Sequence, residues 1–206
     1  MDEDSRMNAS LVSRTQVIQR FIDVRCYKTY LEIGYGDGEN FELISVAVKH
    51  AVDPYITGNP NVIAKTSDQF FAEAVAVGAK YAIIFIDGLH THDQVARDHE
   101  NALLCLKPKG VILLHDVNPT LPSHVRKLAD GETDTGPWTG DAYKAWTQIR
   151  RASKFWTATI LSDFGVGIVD SSRPGEMVNF DPPASFEEFE ASRELFLKPI
   201  LFDDIR

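Results

Sequence analysis

The chain has little cysteine. Cys26 and Cys105 are the only two in 206 residues, too few for a disulfide framework. It has no long apolar run. The longest, such as Tyr81 to Ile86 and Val111 to Leu114, fall far short of a membrane span. Positive charge is also scarce: Lys+Arg number 21 against 30 Asp+Glu, a net charge of −9. That argues against a phosphate-tracking nucleic-acid binder, which would normally carry a basic face. The start, Met-Asp-Glu-Asp-Ser-Arg, lacks a basic segment followed by an apolar core, so no secretory signal is expected and a cytoplasmic setting is the default. The hydrophobic fraction of 44% and charged fraction of 25% are those of an ordinary globular protein with a sizeable core.

The middle of the chain alternates short apolar runs with amphipathic stretches. Strands are expected at Tyr30–Ile33, His50–Asp53, Asn61–Lys65, Tyr81–Ile86 and Val111–Leu114. Runs that are apolar throughout and separated by helices imply a parallel sheet covered on both faces. Helices are expected around Val17–Ile22, over Glu39–Lys49, from an N-cap at Ser67, from a capping box of Thr91 with Gln94, and over Asp141–Arg151. Phe155–Leu161 and Phe164–Val169 are joined by Ser162-Asp163, a link so short that the two must be antiparallel. Pro54–Pro60 is too short for a full crossover helix. Residues 1–170 read as one domain. Residues 171–206 read as an acidic extension, with a capped helix near 185–195, that packs on the domain or on a partner.

Four strand ends carry the chemistry. Glu32-Ile33-Gly34-Tyr35-Gly36-Asp37-Gly38 turns the first strand on alternate glycines. Glycine permits positive φ and lets a ligand approach the backbone. The spacing is not Gly-x-Gly-x-x-Gly, and there is no phosphate-loop lysine. Asp53 ends the next strand, where a carboxylate can accept ribose hydroxyls. Asp87-Gly88-Leu89-His90 and His115-Asp116-Val117-Asn118 end the fourth and fifth. Ligands of open parallel sheets bind beyond these carboxyl ends. Asp87, His115 and Asp116 are therefore a candidate divalent-cation site, and His90 a candidate proton acceptor. His50, His92, His99 and His124 are read as ordinary core or surface imidazoles.

The ordered set of Glu32–Gly38, Val52-Asp53-Pro54, Ile86–Thr91 and Leu106–Ile112 resembles class I S-adenosylmethionine-dependent methyltransferases. Within them it is most similar to the small metal-dependent branch of catechol and macrolide-sugar O-methyltransferases. The resemblance spans about residues 28–118. It implies a Rossmann-like, doubly wound, seven-stranded, mostly parallel α/β sheet whose last strand is antiparallel. It further implies S-adenosyl-L-methionine contacts from Glu32, Gly34, Tyr35, Gly36, Gly38, Asp53, Ser67, Asp68 and Asp87. Metal ligands fall on Asp87, His115 and Asp116, and the catalytic base on His90. The pair His115-Asp116 departs from the all-oxygen sets of these relatives, and an imidazole favours a softer metal than Mg²⁺. The expected activity is O-methylation of a small hydroxylated acceptor, with a segment from Trp138 to Trp146 contacting it. Sugar, phenol and small carboxylic acid are open as acceptors, as is N-methylation. Neither nucleic acid nor membrane is expected as a partner, and a homo-oligomer is open. The alternatives are another cofactor-dependent enzyme on the same fold, such as a dehydrogenase, or a catalytically silent cofactor-binding module.

Overall fold

The computed structural model describes residues 12–126 and 136–206. Residues 1–6, on which the expectation of no leader rests, lie outside them. Five parallel strands come first: β1 (Thr29–Ile33), β2 (Val48–Val52), β3 (Val62–Ile63), β4 (Tyr81–Ile86) and β5 (Leu106–Leu114). The final hairpin is β6 (Phe155–Ile160) and β7 (Val166–Pro174). It folds back so that β7 lies antiparallel between β5 and β6, giving the order β3-β2-β1-β4-β5-β7-β6. The short Pro54–Pro60 segment bridges β2 and β3 without a helix, and β3 is correspondingly only two residues long.

The period of two along the strands divides the core. Tyr30, Ile83, Phe85, Val111 and Leu113 face one side, against Val17, Ile18, Phe21 and Ile22 of α1 (Arg14–Arg25). Leu31, Ile33, Ile84, Ile86, Ile112 and Leu114 face the other. There they meet α2 (Ser67–Ala76), α3 (His92–Cys105) and α4 (Ala142–Ala152). Every residue of β4 is buried, as a central strand requires.

Three local expectations are corrected. Glu39–Lys49 is not a helix. Only a 3₁₀ turn forms at Phe41–Leu43. Lys49 Nζ donates to the carbonyls of Phe41 (2.7 Å) and Ile44 (3.1 Å), and the Gln19 amide ties both the N–H and the carbonyl of Ser45. The carbonyls that a helix would use are thus taken by distant side chains. The N-cap of α2 is Thr66, in a reciprocal capping box with Gln69, and Ser67 is the first helical residue. At α3, Thr91 is the N-cap but its hydroxyl does not cap. The Gln94 amide is drawn instead to Ser67 and Asp98, and Asp141 accepts from the free N–H of His92 at 2.6 Å.

Beyond β7 the chain forms α5 (Phe186–Ala191) and α6 (Arg193–Leu197). Phe189, Phe196 and Leu197 enter the core on the α4 face. Pro199 then runs beside β6, with Thr159 N–H donating to Lys198 O and Ile200 N–H to Thr159 O, so the sheet's edge is covered. Ile205 finishes in the core on the α1 face. Among the described residues no helix is long and apolar enough to cross a membrane.

Candidate active site

A cavity of about 470 Å³ opens at the carboxyl ends of β1, β2 and β4 and the start of α2. Gly34, Gly36, Asp53, Ser67, Asp68 and Asp87 line it. Gly34 has φ +91°, and a Cβ there would lie 2.1 Å from the Asp87 carbonyl oxygen; only glycine lets β1 and β4 close up. Gly36 has φ +57° and nothing within 4 Å of where its Cβ would be, so its bare backbone faces open space. Asp53 organises the loop: Oδ2 accepts from the N–H groups of Tyr35 and Gly36, each at 3.2 Å, and Oδ1 from Tyr55 at 2.9 Å. Three of roughly four acceptor positions on a carboxylate are then used. Tyr55, 89% exposed, and Leu89, 58% exposed, present apolar surface at the rim, as cofactor sites do.

Glu32, Tyr35 and Gly38 do not line this cavity. Glu32 is buried on the α1 side, accepting from Tyr30 Oη at 2.5 Å and Asn40 Nδ2 at 3.1 Å. Burial pushes its carboxyl up to about 7, against those two hydrogen bonds. Tyr35 turns its ring away and donates to Glu42. Gly38 makes room for that ring, since a Cβ would meet its oxygen at 2.5 Å.

A second cavity, about 330 Å³, adjoins the first and shares Asp87 and Gly88 with it. Its lining is charged: Arg14, Asp87, His90, His115 and Asp116, walled by Trp138 and Phe164. His90 Nε2 lies 3.2 Å from Asp87 Oδ1 and Nδ1 lies 3.0 Å from Asp116 Oδ2. That second approach is out of line, so Nδ1 is buried without a hydrogen-bond partner. His115 Nδ1 faces the same two carboxylates at 3.1 and 3.3 Å, and its Nε2 faces Asp163 at 3.6 Å. Trp138 stacks on His90 with ring centroids 5.5 Å apart. Gly140, at φ +57°, presses on the His90 carbonyl, where a Cβ would come within 2.1 Å. The segment before α4 therefore holds His90 in place.

The electrostatics follow from this crowding. Burial alone would raise the Asp87 carboxyl, but His115 and His90 override it and hold it well below the usual range. Burial would lower both imidazoles. Asp87 and Asp116 reverse this, raising His90 above its ordinary value and His115 well above it. Asp163 is lowered by His115 and Arg14 despite its burial. Asp116, Asp163 and Phe164 all adopt positive φ, between +51° and +60°, a strained conformation that tends to cluster at functional sites.

Residues 37–117 match the family model of a methyltransferase domain; they contain Asp53, Asp87, His90, His115 and Asp116 and begin just after Gly34 and Gly36. That match spans less than half of the chain, and with the sheet order it makes the chain similar to class I S-adenosylmethionine-dependent methyltransferases. Solved structures share the fold of this chain. One is a Staphylococcus aureus protein assigned as a caffeoyl-CoA O-methyltransferase, with TM-score 0.55 and 17% identity over 82% of this chain and 89% of that one. Another is a Bacillus cereus O-methyltransferase in complex with S-adenosylhomocysteine, with TM-score 0.52 and 16% identity over 81% and 86%. A third is a Klebsiella pneumoniae protein assigned as an O-methyltransferase, with TM-score 0.53 and 11% identity over 84% and 87%. No curated protein matches the chain.

Three residues that the sequence did not single out stand at this candidate site: Arg14, Asp163 and Phe164. All three lie outside the matched segment, as does Trp138, which was expected only as an acceptor contact. Arg14 arrives from α1 and Asp163 from the β6–β7 turn, which read as no more than a link. The expected cation set was Asp87, His115 and Asp116, and His115 Nδ1 does lie within 3.3 Å of both carboxylates. Asp87, His90 and Asp116 also each offer a ligand atom within 4.8 Å of the others.

Proposed function

We propose that this chain is an S-adenosylmethionine-dependent methyltransferase that methylates an oxygen of a small hydroxylated acceptor, of sugar or natural-product type. The observation that carries this reading is the junction of the two cavities at Asp87 and Gly88, beside His90. The larger cavity suits S-adenosylmethionine: its volume is in the range of cofactor sites, the backbone at Gly36 is open to contact, and Asp53 and Ser67-Asp68 stand ready for ribose and adenine. When bound, the cofactor supplies a methyl group that is electrophilic without further activation. The smaller cavity, about 330 Å³, is at the low end of small-molecule pockets, and Trp138 and Phe164 line it.

The chain's own residues then position the acceptor oxygen and take its proton. Asp87 holds His90 Nε2–H, which leaves the Nδ1 lone pair as the proton acceptor. In a transfer to oxygen the acceptor's proton would pass to His90 Nδ1, and the imidazolium so formed would face Asp116. This is the orienting logic of carboxylate–histidine pairs. Positioning supplies most of the acceleration. The direct test is transfer of labelled methyl from S-adenosylmethionine to a panel of sugars, phenols, hydroxy acids and amines. Methyl ethers are the expected products; methylamines alone would overturn the assignment to oxygen.

The unpartnered Nδ1 and the convergent donors of Asp87, His90 and Asp116 favour a second reading, in which these three hold a divalent cation of the borderline type. Such an ion would polarise the acceptor hydroxyl, and His90 would then be a ligand and not a base. The two readings part on chelation. Arg14, His90 and His115 already face the oxygens of Asp87 and Asp116, so we expect methyl transfer to survive exhaustive chelation. Activity lost to chelator and restored by a divalent metal would assign His90 to the ion.

A further inference from the structure

We infer that Arg14 receives the carboxylate at the amino-acid end of the cofactor; the inference rests on the cofactor reading above. If the ribose and adenine sit at Asp53 and Ser67-Asp68, the other end of the molecule follows the glycine loop away from them. That loop passes from Gly34 and Gly36, in the first cavity, to Gly38, which lines a third. The third cavity, about 630 Å³, is bordered by Ser13, Arg14, Glu39, Glu42 and Asp163. One cation among several acids is the lining that a zwitterionic amino-acid group requires: a guanidinium for the carboxylate, carboxylates for the ammonium.

Arg14 is anchored but not satisfied. It is the first residue of α1, and its backbone N–H donates to Asp163 Oδ2 at 2.7 Å. Its guanidinium, with a side chain 30% exposed, makes only loose approaches: 3.7 Å to Asp87, 3.5 Å to Asp163 and 3.5 Å to His115 Nε2. A charge-assisted hydrogen bond closes to 2.7–2.9 Å, and a guanidinium has five donors arranged to grip a carboxylate. These donors border both the charged cavity and the third one, so a carboxylate entering along the loop finds them free to close on it.

The test compares two ligands by calorimetry on the full chain. S-adenosylhomocysteine carries the carboxylate; S-adenosyl-3-thiopropylamine keeps the ammonium and lacks only the carboxylate. The wild type should prefer the former by about 10- to 100-fold, the scale of hydrogen bonding to a charged group. Arg14→Gln should remove most of that preference while leaving affinity for the decarboxylated analogue unchanged, and Arg14→Lys should restore part of it. Equal weakening of both ligands by Arg14→Gln would overturn the inference and make Arg14 a structural clamp on α1. A wild type that does not distinguish the ligands would overturn it whether or not the variants fold. Binding of neither ligand would remove the cofactor reading and the inference together.

Discussion

Replacing His90 with alanine should lower the turnover number by about 10²–10⁴-fold, the range that a positioned general base supplies. Affinity for S-adenosylhomocysteine should hardly change, because Gly36 and Asp53 are untouched. The pH dependence gives a sharper signature. Asp87 and Asp116 raise His90 above its ordinary 6.5, so the imidazole is protonated, and unable to accept, up to a pH above that value. The wild-type rate should therefore fall on the acid side, with the midpoint above 6.5, and His90→Ala should lose that limb. The nearby alternatives are otherwise engaged. Lys144 Nζ donates to Ala184 O, Asp141 accepts from the His92 N–H, and His92 Nδ1 faces Asp93. A variant with near-normal turnover and an unchanged acid limb would move the proton acceptor away from His90.

Gly36→Val should weaken S-adenosylhomocysteine binding by at least about 100-fold. Two causes act together. The φ of +57° is strained for any residue with a Cβ and worst for a β-branched one. The added side chain would also fill the open space beside the loop that the ligand needs. The domain itself should still fold, since nothing of the protein lies within 4 Å of the new Cβ. Gly34 is the instructive contrast, because there the clash is with the backbone of Asp87, so substitution would damage the sheet as well as the site. Thermal melting separates the two cases. A Gly36→Val protein that binds S-adenosylhomocysteine within twofold of the wild type would place the cofactor elsewhere.

What could be read from the sequence was whatever depends on neighbours in the chain. Tyr81–Ile86 announces a central strand because burial on both faces leaves no polar alternation. The alternate glycines after Ile33 announce a tight turn because backbone conformation is a local property. The misreadings arose where a side chain took a backbone group or a partner that the local pattern had assigned elsewhere. Phe41, Ile44 and Lys49 look helical until Lys49 Nζ caps the carbonyls of Phe41 and Ile44. Thr91 and Gln94 look like a capping box until Ser67 and Asp98 claim the glutamine. At the site, Asp87, His90, His115 and Asp116 could be named because each follows a strand that sets its place at the sheet's edge. Arg14 and Asp163 could not. Their role depends on α1 and the final hairpin folding over the same edge, and no spacing records that. Glu32 shows the remaining difficulty: the period of two puts it with Tyr30 on the α1 face, away from the cavity that its motif suggested.

The measurement that bears most directly on the central claim is a calorimetric titration of the full chain with S-adenosylhomocysteine, repeated with Asp53→Ala. A cofactor site at the carboxyl ends of β1, β2 and β4 predicts one ligand per chain at micromolar strength. It also predicts a loss of about 1.5–3 kcal/mol in the variant, the contribution of hydrogen bonds to a charged group. No binding to the wild type, or binding that Asp53→Ala leaves unchanged, would contradict it.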